Sequence, residues 1–109
     1  MDAIEDFIDH VTSTEIDQVP DAAIRAAKTF ILDSLGVGLS GGNGPWVREM
    51  VQLSQQWGQG EDARVWGHGQ RLPAPGAAMC NAYQIHNAEF DCVHEGAVVH
   101  SMTVLLGAA

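Results

Sequence analysis

Apolar residues along this chain recur at helical rather than strand spacing. Ile4, Phe7, Ile8 and Val11 fall at i, i+3, i+4 and i+7, which predicts a first helix over Asp2–Val11 broken by Thr12, Ser13 and Thr14. Pro20 at a first helical position, with Asp21 after it, predicts a second helix from Pro20 to about Ser40. Its expected inner face is Ile24, Ala27, Ile31, Leu35 and Leu39, widened by Phe30, Leu32 and Val37 until the helix is apolar almost all round. Gly41, Gly42 and Gly44 end it, and Pro45 opens a third helix whose stripe is Trp46, Met50, Leu53 and Trp57. Those aromatic residues are expected in the core.

Extended structure has one place, residues 62–72, where Val65 and Trp66 can form a short strand and Gly67 and Gly69 turn the chain. Pro73 and Pro75 precede a helix of small residues from about Gly76 to Glu89. A last helix starts with Ser101 as N-cap and reaches Ala109 without a closing cap, the pattern of a fragment of something longer. The expected fold class is all-α.

A chain of 109 residues is one domain at most, and a 46% hydrophobic, 17% charged composition is globular. A net charge of −9 with five Lys and Arg argues against nucleic acid and against an anionic membrane surface. The acidic start does not resemble a secretory leader, and no apolar run approaches membrane-spanning length. Cys80 and Cys92 form no C-x-x-C pair and no disulfide framework, so a reducing, cytoplasmic setting is expected.

Residues 86–100 change the picture from fold to chemistry. This stretch holds His86, His94 and His100 together with Glu89, Asp91 and Glu95, three of the five histidines and three of the fourteen carboxylates. Imidazoles and carboxylates are the groups that move protons near neutral pH. Asp91 and His94 stand at i, i+3, where the carboxylate would orient the ring on a continuing helix. Three readings stay open on spacing alone. One is general acid/base chemistry. Another is a 2-His-1-carboxylate metal set from His86, His94 and Asp91 or His100, although H-x7-H-x5-H matches no common zinc spacing. The third makes these histidines ordinary helix-end hydrogen bonders. Gly67-His68-Gly69 reads as a tight turn before it reads as an anion nest.

Four segments resemble the MmgE/PrpD family: Leu32-Asp33-Ser34-Leu35-Gly36-Val37-Gly38-Leu39-Ser40-Gly41, Ala77-Ala78-Met79-Cys80-Asn81-Ala82, His86-Asn87-Ala88-Glu89-Phe90-Asp91, and His100-Ser101. The resemblance implies the N-terminal part of a large helical domain in a cofactor-independent lyase or epimerase, acting on a di- or tricarboxylate beside a carboxylate. It implies no cofactor and no metal, a homo-oligomer formed through apolar helices, and a catalytic lysine and further histidine outside these residues. Carried over by position, Asp91 and His100 form the acid/base set, Glu89 and His94 support it, and His86 and His100 bind substrate. Glu89, Cys92, Val93 and Ser101 depart from the family's usual residues, Asp, Asp, Thr and Pro. These departures point away from 2-methylcitrate as substrate, and the 109 residues alone are expected to be inactive. A non-catalytic helical interaction module is the alternative expectation.

Overall fold

A computed structural model describes residues 2–109 as five α-helices and one small hairpin. Helix α1, Ala3–Ser13, is capped by the Asp2 side chain, which accepts from the Ile4 N–H. Thr12 and Ser13 do not break it. Their hydroxyls donate back to the carbonyls of Ile8 and Asp9, which lets short polar residues stay helical. Its apolar stripe forms as expected but buries nothing, and Phe7 and Val11 stand 68% and 77% exposed.

Helix α2, Asp21–Gly41, begins one residue after the expected start, with Pro20 as its cap residue. Its buried face also differs from the expected one. Ser34, Val37, Gly38 and Gly41 are buried, whereas Ile31 and Leu39 are exposed. The reason is the close approach of a neighbour, helix α4 (Ala74–His86). A Cβ on Gly38 would lie 3.1 Å from the Ile85 side chain, and one on Gly41 only 2.1 Å from the Gln84 carbonyl oxygen. A contact that tight selects small side chains over large apolar ones.

Helix α3, Val47–Trp57, is one residue out of phase with the sequence reading. It buries Val47, Val51 and Ser54, and leaves Trp46 and Trp57 70% and 64% exposed rather than in the core. Trp46 sits in a left-handed conformation just before the helix. The core that α3 joins is made of Val51, Val65, Leu72, Ala77 and Cys80. Ser54 Oγ lies 3.4 Å from Cys80 Sγ inside it, and burial pushes the Cys80 thiol pKa up.

The extended segment is an antiparallel hairpin, β1 (Ala63–Arg64) with β2 (Arg71–Leu72), in register Ala63 to Leu72. Val65 and Trp66 follow β1 rather than forming it. Gly67 and Gly69 both take positive φ and turn the chain as expected. Asn81 of α4 holds the hairpin, accepting from the Trp66 N–H at 3.0 Å and donating to the Arg64 carbonyl at 3.1 Å. His68 Nε2 reaches the Gly42 carbonyl at 2.8 Å, so this histidine ties the turn to the end of α2.

Helix α4 is the hub, packed against α2, α3, the hairpin and helix α5 (Ser101–Ala108). It starts at Ala74 with Pro75 inside its first turn and stops at His86, short of Glu89. Helix α5 has His100, not Ser101, at its cap position. Gly107 lets α5 lie flat on α4, since a Cβ there would come within 2.9 Å of the Ala82 Cβ. Among the described residues, no helix is long and apolar enough to cross a membrane.

Candidate active site

The site is built where α4 ends and α5 begins. His86 closes α4, and the chain then leaves the helix through Glu89, whose φ is +50°. A tight turn follows, in which the His94 N–H donates to the Val99 carbonyl at 2.9 Å and Val99 pairs back to His94. That turn reverses the chain, so His100 returns beside Asp91. One helical turn later α5 presents Thr103 to the same carboxylate.

Asp91 is the centre, its side chain fully withdrawn from solvent at 0% exposure. Oδ1 lies 3.0 Å from His86 Nδ1, and Oδ2 lies 3.0 Å from His100 Nδ1 and 2.5 Å from Thr103 Oγ1. Burial alone pushes this carboxyl up. Hydrogen bonds from Thr103, from His86 and from its own backbone N–H, together with the charge of His100, outweigh burial and hold it below the usual carboxylate value. Asp91 is therefore an anion that only accepts, and each imidazole must donate its Nδ1–H. When neutral, both rings then keep a bare Nε2. The rings sit edge to face with centroids 4.6 Å apart, and the two side chains are 46% and 38% exposed. A buried anion thus orients two half-exposed bases.

Beside them opens a cleft of about 590 Å³ walled by Met50, Met79 and Tyr83, with His86, Asn87, Glu89 and Thr103 among its polar lining. Among the described residues, no Lys or Arg lines it.

Of the residues singled out from sequence, His86, Asp91 and His100 meet. His94 does not: its Nδ1 accepts the Ala97 N–H at 3.0 Å and shapes the turn. The Asp91–His94 pairing required helix through residue 94, and α4 ends eight residues earlier, at His86. Glu89 reaches the cleft but not Asp91, and Phe90 lies 80% exposed. Thr103 was missed, because the first turn of the final helix carries two hydroxyls, Ser101 and Thr103, and local spacing favours neither. Among the described residues, His86, Asp91 and His100 also form the one group that could hold a metal ion, their ligand atoms lying within 4.8 Å. In that group the expected His94 has no part, and the Nδ1 and carboxylate atoms are already engaged with one another.

A family model, the MmgE/PrpD N-terminal domain, matches residues 5–109. The chain belongs to the MmgE/PrpD family. Its relatives include cis-aconitate decarboxylase of Aspergillus terreus, 34% identical over 92 residues, covering 84% of this chain and 19% of that protein. The Mus musculus and Homo sapiens cis-aconitate decarboxylases are 32% and 31% identical over 108 residues, covering 93% of this chain and 22% of each. The chain thus spans about a fifth of the length of the curated relatives it matches. No solved structure gives a significant match. These decarboxylase relatives place the chain in a lyase-type enzyme family.

Proposed function

We propose that this chain supplies the acid/base half of the active site of a cofactor-independent carboxylate lyase, with decarboxylation of cis-aconitate or a similar tricarboxylate as its reaction. The observation that carries this reading is the pair of imidazoles held on buried Asp91, of which His86 lines the 590 Å³ cleft. Loss of CO2 leaves the bonding electron pair on carbon, and that carbon must take up a proton. A protonated Nε2 of His86 or His100 delivers it, and the neighbouring Nε2 can accept the next proton from solvent. Asp91 keeps both rings in the required tautomer, as the orienting carboxylate does in other histidine-based sites. The decarboxylase names of the relatives favour this reaction over dehydration or epimerisation.

A tricarboxylate needs fixed cations, and among the described residues no Lys or Arg lines the cleft. We assign those cations to parts of the enzyme outside these 109 residues. The exposed apolar stripes of α1 and α2 we assign to association within that enzyme, which we expect to be a homo-oligomer. Release of CO2 from cis-aconitate should be measurable with the product of the complete reading frame and absent from the 109-residue chain. Turnover by the chain alone would refute the half-site reading. A complete product that turns over no di- or tricarboxylate would refute the lyase reading.

A further inference from the structure

Thr103 has a role that helical threonines in this chain do not share. Thr12 and Thr29 turn their hydroxyls back onto the carbonyl four residues earlier, Ile8 and Arg25. The carbonyl four residues before Thr103 belongs to Val99, and it already accepts the His94 N–H. Thr103 instead sends its hydroxyl across to Asp91 Oδ2, twelve residues back in sequence.

We infer that Thr103 is a positioning residue for the Asp91–His100 pair, acting through the carboxylate oxygen that it shares with His100. The inference rests on the acid/base reading given above. Oδ2 takes two donors, Thr103 Oγ1 and His100 Nδ1, while Oδ1 takes His86 Nδ1. The Thr103 bond fixes the rotation of the carboxylate plane and hence the direction in which His100 Nε2 points. It also occupies a lone pair that would otherwise make Asp91 a better proton acceptor, so the carboxylate orients the rings without competing for their protons. The titratable groups that bear on Asp91 are His86 at the end of α4 and His100 at the start of α5. One turn after Thr103, Gly107 seats α5 closely on Ala78 and Ala82 of α4.

The test compares Thr103→Val, Thr103→Ala and Thr103→Ser in the complete enzyme, with Asp91→Asn alongside and folding checked by circular dichroism. The valine and alanine variants should lose roughly tenfold or more in kcat with KM within about twofold, since the lost bond orients the chemistry rather than the substrate. Serine keeps the hydroxyl and should recover most of that loss. Wild-type kcat in a folded valine or alanine variant, or no recovery with serine, overturns the role of Thr103. If Asp91→Asn retains wild-type turnover, the underlying acid/base reading falls instead.

Discussion

Replacing Asp91 by asparagine is expected to lower the turnover of the complete enzyme by about 10²–10⁴-fold while leaving the fold in place. Asparagine has the same shape, but one of its two terminal atoms is an NH2 that donates. Facing two imidazole Nδ1 atoms at 3.0 Å, it can accept from only one of them. The other ring must present a bare Nδ1 to the amide and carry its proton on Nε2. That ring then cannot act as a base through Nε2. The anion that stabilises a protonated imidazole is lost at the same time. Steady-state kinetics, with a circular dichroism spectrum matching wild type, checks the prediction. A loss of less than about threefold would mean that Asp91 is a structural residue only.

The second large effect is on stability. Gly41→Val is expected to destabilise the fold by at least about 3 kcal/mol, a large part of the 5–15 kcal/mol that holds a typical domain together. The Cβ would sit 2.1 Å from the Gln84 carbonyl oxygen, a backbone atom of α4 that has no rotamer to escape into. The helices must separate, and α4 carries His86 at its end, so the site opens with them. Gly36 lies on the same helix with nothing within 4 Å of its Cβ position. Gly36→Ala should therefore stabilise by roughly 0.5–1 kcal/mol through helix propensity. Urea denaturation of both variants reads the contrast, and similar midpoints would show that the α2–α4 contact is looser than described.

These glycines mark the boundary of what the pattern of residues discloses. Helix existence was legible, because Gly/Pro punctuation and apolar spacing are local properties. So was the turn at Gly67 and Gly69, which both take positive φ. Helix phase was not. Trp46, Met50, Leu53 and Trp57 form a convincing stripe, yet the structure buries the neighbouring row Val47, Val51 and Ser54. Burial there follows from which face of α3 packs on α4, which no single helix records.

The site shows the same division. The concentration of imidazoles and carboxylates in 86–100 was legible, and so were the members His86, Asp91 and His100. Their convergence was not, because it depends on α4 stopping at His86 and on the reversal between His94 and Val99. Asn87-Ala88-Glu89 carries no helix-breaking residue, so a continuing helix that pairs Asp91 with His94 is compatible with the residues alone. Thr103 was hidden for the same reason, since its partner is reached only after that reversal.

The proposed site rests on Asp91 holding two imidazoles through Nδ1, so that each Nε2 stays bare. Long-range 1H–15N correlation spectra of the histidine rings, recorded where the imidazoles are neutral, report which ring nitrogen carries the proton. His86 and His100 should both show a protonated Nδ1 and a bare Nε2. A protonated Nε2 with a bare Nδ1 on either ring would contradict the proposed site.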